Sequence, residues 1–337
     1  MSGGGESAPL APLALVTGAS GFVGSHIVDE LLRRGARVRC LLRGTSSRRW
    51  LEGKDVEYVD GDVCHREKLD AAFHGVDWIV HAAGLTHAPS ASEYHRVNVL
   101  GTEQILAEAL AARPAPRRFV YISSQAAAGP SRNGVPVTED QSPLPVSTYG
   151  ATKLEGEKLV MRAADRLPVT AIRPPVVYGP RETALLKYFK AVKCHVRPYL
   201  GGGPRRFSLV YAEDCARAVW AALTRDAAAG QIYFVAGPES TTYDEVGSAI
   251  ARAMGTWAVR VPVPTLLLQM GALAGEVAGV LTRRDPFFSR EKFREITEGD
   301  WIISARKIKE QLGWSPATSL EDGARVTAGW YREAGWV

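Results

Sequence analysis

A short apolar run, Ala14–Thr17, passes directly into Gly18-Ala19-Ser20-Gly21-Phe22-Val23-Gly24, and a stretch of helical length and mixed polarity, Phe22–Arg34, grows out of it. Few folds accommodate such a passage. Glycine reaches backbone angles closed to other residues and lets a second chain or a ligand approach closely. A strand that turns on glycines into a helix also aims the free N–H groups of that helix at one point, where a phosphate binds well. Gly18, Ser20, Gly21, Phe22, Val23 and Gly24 are therefore candidates to hold the pyrophosphate of a dinucleotide. The spacing is G-x-x-G-x-x-G rather than the commoner G-x-G-x-x-G. The setting between strand and helix carries more of the inference than the spacing does.

The same rhythm continues along the first two-thirds of the chain. Val38–Leu42, Val56–Val59, Trp78–His81, Phe119–Ile122 and Val169–Ile172 read as strands, with Glu67–Phe73, Tyr94–Ala112 and Tyr149–Leu167 as helices between them. Continuously apolar strands alternating with helices imply an α/β fold, a doubly wound parallel sheet covered on both faces. After Val177-Tyr178-Gly179-Pro180 the rhythm changes. Gly201-Gly202-Gly203-Pro204 reads as a loop, Phe207–Val210 and Ile232–Val235 as further strands, and the last hundred or so residues as helical pieces broken by Pro and Gly. The expected division is a disordered lead-in over 1–12 and a dinucleotide-binding domain over 13–178, to which 206–236 returns. A smaller, mostly helical substrate-binding lobe covers 179–205 and 237–337, over the carboxyl ends of the strands. Within it, Val261–Leu281 is too interrupted by Pro262, Pro264, Gln269, Glu276 and three glycines to span a membrane, and reads as a buried or half-buried helix.

Composition excludes several classes. A chain of 337 residues, 46% hydrophobic, buries a sizeable core without disulfides or a metal. The net charge of +5 comes from scattered arginines with no basic run interleaved with aromatics, so nucleic acid is not an expected partner. Cys40, Cys64, Cys194 and Cys215 lie far apart, without a C-x-x-C or a nearby His pair, and Cys40 reads as a small buried hydrophobe. The seven histidines have no metal-ligand spacing, and Ser123-Ser124 lacks the G-x-S-x-G of a hydrolase elbow. No secretory pattern precedes Pro12, which points to the cytoplasm.

Three further features bear on chemistry. The second strand runs into Arg43, and no acid follows before Glu52. A carboxylate there would repel a 2′-phosphate and a guanidinium pairs with one, so NADP(H) is favoured over NAD(H), which stays possible. Tyr149 and Lys153 stand at i and i+4 on one helix face. An ammonium beside a phenol stabilises the phenolate and draws its pKa down from the ordinary value near 10. Ser123-Ser124 closes the strand that begins at Phe119, where ligands of such sheets gather, and Asn98 is placed to bridge helix backbone and buried water.

Taken together, these segments resemble the extended short-chain dehydrogenase/reductases, the NAD-dependent epimerase/dehydratase superfamily, over roughly Leu13 to the C-terminus. Gly61-Asp62-Val63 looks like the family's adenine-contacting turn, His81-Ala82-Ala83-Gly84 like the strand end flanking the adenosine half, and Arg173-Pro174-Pro175-Val176-Val177-Tyr178-Gly179-Pro180 like the loop beside the nicotinamide. The resemblance implies that Ser124, Tyr149 and Lys153 are catalytic, with Asn98 a candidate proton relay. It implies cofactor contacts from Asp62, Val63, Ala82, Ala83, Gly84, Ser123, Tyr149, Lys153, Pro174, Pro175 and Val176. Thr86, His87, Gln125 and Val177 join Ser124 as candidates to touch substrate. It further implies a homodimer formed by two helices per subunit, around Tyr94–Ala112 and Tyr149–Leu167.

Within the superfamily, the strand ending in Arg43 looks like the dihydroflavonol-reductase and 3β-hydroxysteroid-dehydrogenase-like branch. Sugar-nucleotide epimerases tend to carry an arginine seven residues before the position of Asp214, and here Phe207 stands there. The apolar stretch Pro264–Leu281, followed by Phe287-Phe288, suits a ring system or acyl chain. The expected activity is an NADP(H)-dependent reductase or dehydrogenase interconverting a ketone and a secondary alcohol on an apolar small molecule. The alternatives are a nucleotide-sugar epimerase or dehydratase with tightly held NAD, and a non-catalytic NADP-binding regulator.

Overall fold

The computed structural model describes residues 11–200, 205–267, 269–270 and 290–337. Strands β1 Leu13–Thr17, β2 Arg37–Leu42, β3 Glu57–Asp60, β4 Trp78–His81, β5 Arg118–Ile122 and β6 Val169–Arg173 are followed by β7 Val176–Tyr178, β8 Val196–Leu200, β9 Arg206–Tyr211, β10 Gln231–Phe234, β11 Ser240–Thr242 and β12 Val259–Val263. Seven of them make one parallel sheet in the order β10-β6-β5-β4-β1-β2-β3. Their apolar runs are continuous because alternate residues serve two cores. Ala14, Val16, Val38, Cys40 and Val120 face one cluster, and Leu15, Leu41, Ile79, Phe119 and Ala171 face the other. Helices α1 Phe22–Arg33 and α8 Ala212–Thr224 cover the first face; α4 Gly101–Ala111 and α6 Thr148–Met161 cover the second.

β1 pairs with β2 on one side and β4 on the other, so the strand order reverses at β1. A crevice opens at the carboxyl ends of strands where such a reversal occurs. Both the glycine turn after β1 and Ala82-Ala83 after β4 border it.

Several helices are shorter or less regular than their polarity suggests. The segment expected as Glu67–Phe73 is a 3₁₀ turn, Arg66–Lys68, followed by one α turn, α2 Asp70–Phe73. The segment expected as Tyr94–Ala112 consists of α3 Ala91–His95, a wider π turn over Arg96–Leu100, and α4. α6 ends at Met161 and not at Leu167, because the chain there tightens into turns that bury Ala163 and Leu167.

The second lobe contains more strand than expected. β9 pairs in parallel with β7 and antiparallel with β11, so 206–211 belongs to a small three-stranded sheet, and the return to the large sheet begins with α8 and β10. Phe207 packs against Tyr243, with ring centroids 4.7 Å apart. The helix Arg306–Leu312 is not part of a separate lobe either: Ile308, Leu312 and Trp314 are buried in the core with α8. Asp214 is structural, accepting the N–H groups of Ala317 (3.1 Å) and Thr318 (3.0 Å).

The helix expected from Val261 does not begin there, and its part over 271–281 lies outside the described residues. Residues 259–263 form β12, which pairs in parallel with β8; the valines favour strand, and Pro262, lacking an N–H, is tolerated because the ribbon has only two strands. Leu266, Leu267 and Met270, just beyond it, are exposed. Gly201–Pro204, residues 271–289 with Phe287-Phe288, and most of the lead-in lie outside the described residues. Among the described residues no helix is long and apolar enough to cross a membrane.

Candidate active site

Three glycines shape the floor of the crevice. Gly18 has φ +70°, and a Cβ there would stand 2.6 Å from Ala83 N, so the turn closes against the end of β4 only because residue 18 has no side chain. A Cβ on Gly24 would overlap the carbonyl of Gly18. α1 starts from Gly21 with no side-chain cap and no acid in its first turn, leaving its N–H groups and the positive end of its dipole open to an anion.

A buried relay that the sequence does not announce ties this floor to the neighbouring helix. Thr17 Oγ1 lies 2.7 Å from His81 Nδ1, His81 Nε2 lies 3.0 Å from Thr102 Oγ1, and Thr102 donates to the Asn98 carbonyl at 2.8 Å. Thr17 Oγ1 also accepts from Ala83 N at 3.2 Å. Burial holds the His81 imidazole down to about 3, so it stays neutral at physiological pH. His26, which meets the Pro180 carbonyl at 3.0 Å, is held down to about 4, mainly by burial. Both rings are neutral in the fold yet take a proton near pH 6.5 once unfolded. The stability that this gives is complete above about pH 6.5 and is lost as pH falls towards 4. For His26 alone the loss reaches roughly 3 kcal/mol once the pH is below its folded value. Thermal unfolding between pH 7 and 4 is expected to show a falling Tm; a flat profile would contradict this.

Ser123, Ser124 and Gln125 follow β5. Ser123 N donates to Ile172 O on β6 (2.7 Å) and Gln125 N to Pro174 O (2.8 Å), which fixes this turn to the end of β6. Ser124 caps the short helix α5 Gln125–Ala128, its Oγ accepting from Ala126 N at 3.1 Å. Ser123 Oγ and Gln125 Nε2 are buried with no hydrogen-bond partner among the described residues. Groups left so in an interior point to a ligand that completes them.

Tyr149 sits in the first turn of α6. Ser147 sets the start of that helix, accepting from Gly150 N at 3.1 Å and donating to Glu295 at 2.5 Å. Glu295 lies on the helix Arg290–Thr297, so the C-terminal part of the chain reaches the site, a contact across 148 residues that no local signal announces. The Tyr149 hydroxyl is hydrogen-bonded to Ser124, and its ring lies 6.2 Å from that of Tyr94. Burial pushes the phenol up to about 12, against the Ser124 hydrogen bond and with the help of Glu295.

Lys153 does not aim at that hydroxyl. Its Nζ donates to the Ile122 carbonyl at 2.7 Å and lies 4.2 Å over the Tyr121 ring. Burial draws the ammonium down to about 7, with Glu157, one turn on, opposing. The expected lowering of the phenol by a neighbouring ammonium is therefore replaced by its opposite, because desolvation dominates and the charge is turned to a carbonyl.

Asn98 lies in the π turn and is fully buried. Its amide accepts from Leu85 N (2.8 Å) and donates to Leu85 O (3.1 Å) and Thr152 Oγ1 (3.1 Å), clamping the loop after β4 to α6. A Cβ on Gly84 would come within 3.1 Å of Asn98 Oδ1 and 3.7 Å of Lys153 Nζ, so these three groups meet at one point. Thr86 and His87 are exposed nearby, and the Tyr94 hydroxyl donates to Thr86 O at 3.2 Å. Asp62 accepts from Cys64 N at 2.9 Å, and Val63 is buried under Gly101. Pro174 is buried, Pro175 and Val177 are half-buried, and Val176 is exposed. Arg43 stands exposed after β2, with no ion pair among the described residues.

A loop built on glycines, an uncapped helix N-terminus, a lysine at the bottom of the crevice and orphaned polar atoms at its edge form a cradle that fits a dinucleotide. Residues 14–236 match the profile of the NAD dependent epimerase/dehydratase family. The chain is similar to a ceramide reductase of Caulobacter vibrioides (strain NA1000 / CB15N), with 34% identity over 326 residues, covering 96% of this chain and 95% of the relative. It is also similar to the 4-hydroxy-2-methyl-3-oxo-4-farnesyl-3,4-dihydroquinoline-1-oxide ketoreductase of Stigmatella aurantiaca, at 28% identity, covering 91% and 93% of the two chains. The solved structure of Thermus thermophilus UDP-glucose 4-epimerase in complex with NAD superposes with a TM-score of 0.76 at 25% identity, covering 96% of this chain and 99% of that one. The chain thus belongs to the NAD dependent epimerase/dehydratase family, among the extended short-chain dehydrogenase/reductases, and is an NAD(P)-dependent oxidoreductase.

Proposed function

We propose that this protein is an NADP(H)-dependent reductase, interconverting a ketone and a secondary alcohol on an apolar small molecule. The observation that carries the reading is the half-buried, protonated Tyr149 phenol, held by Ser124 just after β5. A phenol pushed up to about 12 keeps its proton at neutral pH, which is the state a donor needs in the reductive direction. The bound cofactor supplies the hydride. Ser124 orients the carbonyl oxygen and Tyr149 protonates it. Lys153, whose Nζ donates to the Ile122 carbonyl, would hold the ribose of the cofactor and supply positive charge for the product state, and Asn98, bonded to Thr152 Oγ1, fixes α6 beside it.

The dihydroflavonol-reductase-like branch is supported by Arg43 after β2, by Phe207 packed on Tyr243 where an epimerase would need an arginine, and by relatives named as ceramide reductase and ketoreductase. Thr86, His87, Gln125 and Val177 are assigned to the substrate side; the cofactor takes the glycine turn, Arg43, Asp62, Val63, Ala82–Gly84, Ser123 and Pro174–Val176. The four cysteines are free thiols, which supports a reducing, cytoplasmic setting. A homodimer through α4 and α6 belongs to this reading on the family resemblance alone.

Fluorescence titration with NADPH and NADH, followed by a ketone panel read at the nicotinamide absorbance, tests the cofactor assignment. Arg43→Glu is expected to weaken NADPH binding about tenfold or more and to leave NADH nearly unchanged, since only the 2′-phosphate meets residue 43. Equal loss for both cofactors, or a wild-type preference for NADH, would overturn it.

A further inference from the structure

We propose that the outer face of the β8–β12 ribbon, with Trp257, is a docking surface for an anionic lipid bilayer. Residues paired across a parallel ribbon share a face, so its two faces can be read from the register. Arg197 and Arg260 are paired and lie on the inner face, where both reach Asp244 on α9 Tyr243–Met254, at 3.3 and 3.1 Å. The outer face takes the intervening pairs, Val196 with Val259 and Pro198 with Val261. Val259 is 57% exposed, and Val196 and Val261 are 39% exposed each.

Parallel strands are ordinarily covered on both faces. Among the described residues this pair is covered only along the inner side of β8, where Arg197 and Tyr199 are half-buried, while β12 is exposed on both faces over Val259–Pro262, and other open side chains flank it in the sequence. Trp257, 65% exposed, lies flat on the His195 ring at 4.2 Å, and Leu266, Leu267 and Met270 follow β12 in the open. Seven of the 13 exposed large hydrophobic side chains among the described residues thus fall at Val196 or within 257–270. Scattered single exposures need no explanation, whereas a contiguous patch marks a binding surface.

Charge decides the partner. Neither 186–200 nor 255–270 contains a single Asp or Glu, while the first carries Lys187, Lys190, Lys193 and Arg197, and Lys190 and Lys193 are exposed on α7 Leu186–Lys193 leading into β8. An apolar face with an indole at its margin, preceded in the chain by a helix carrying exposed lysines, matches the layered polarity of an anionic membrane surface: acyl region, interface, phosphate. A protein partner would ordinarily demand a core depleted of lysine and some acceptor groups at the rim. The surface is remote from Tyr149 in role, and this inference is independent of the reaction proposed for that site.

The test is co-sedimentation of the full chain with vesicles of equal parts phosphatidylcholine and phosphatidylglycerol, against vesicles of phosphatidylcholine alone. Binding is expected to the anionic vesicles and to weaken at high salt. Lys190→Glu with Lys193→Glu, and separately Trp257→Ser with Val259→Ser, should each reduce the bound fraction about tenfold while leaving circular dichroism and Tm unchanged. No binding to either vesicle overturns the proposal. So does binding that neither double variant changes, or light scattering in which the Trp257/Val259 variant abolishes self-association without affecting lipid binding.

Discussion

Tyr149→Phe is expected to lower kcat by about two to four orders of magnitude while leaving cofactor affinity within about twofold, because it removes one proton donor and nothing else. The phenylalanine ring keeps the contact with Tyr94, whose centroid lies 6.2 Å away. Ser124 keeps a partner, since its Oγ still accepts from Ala126 N at 3.1 Å, so no buried polar atom is orphaned and the fold loses little. What disappears is a phenol pushed up to about 12, loaded with its proton across the whole neutral range. Steady-state rates with NADPH and a reducible ketone, with fluorescence titration of the cofactor, separate the two effects. A variant retaining a tenth or more of kcat would remove Tyr149 from the mechanism.

Glu157→Ala carries the second large effect, this time on the fold. Glu157 and Arg173 form a pair in which the side chains are 1% and 2% exposed, with contacts of 2.5 and 2.8 Å. The pair joins α6, which presents Tyr149 and Lys153, to the end of β6, which leads into Pro174-Pro175. Arg173 Nη1 already lacks a hydrogen-bond partner among the described residues, so removing the carboxylate strands the whole guanidinium. Breaking one side of such a pair costs about 3–5 kcal/mol. For a chain of this length that is a Tm lower by about 5 °C. The same carboxylate favours the charged form of Lys153, so its loss should also weaken the cofactor. Replacing both partners, Glu157→Leu with Arg173→Met, should recover most of the stability but not the cofactor affinity. If the single variant melts with wild type, the pair does not fasten β6 to α6.

The large sheet was legible because its strands are buried on both faces, which forces runs such as Val38–Leu42 and Phe119–Ile122 to be apolar throughout. The glycine turn was legible because residue 18 has no room for a side chain between β1 and β4. Spacing put Tyr149 and Lys153 on one helix face, but spacing does not choose a rotamer, and the structure turns Nζ towards Ile122 O. The roles of His81 and Glu295 were not legible: each depends on partners 21 to 148 residues away, Thr102, Thr17 and Ser147. The second lobe misled for a different reason. Its valines and prolines between 259 and 264 sit beside Leu-rich sequence, and composition alone made one helix of what begins as an edge strand.

In the proposed reaction hydride leaves the cofactor for good and ends on the substrate carbon while Tyr149 protonates its oxygen. The family also contains enzymes whose relatives here are named epimerases and dehydratases, so the fate of the hydride separates the readings. The direct measurement incubates the protein with a ketone and NADPH carrying deuterium at both C4 positions of the nicotinamide, and follows the label by mass spectrometry. One deuterium on the carbinol carbon is expected for each NADPH consumed, with the cofactor exchanging freely between turnovers. A tightly held NAD that co-purifies, with no net consumption of NADPH and no label in the product, would contradict it.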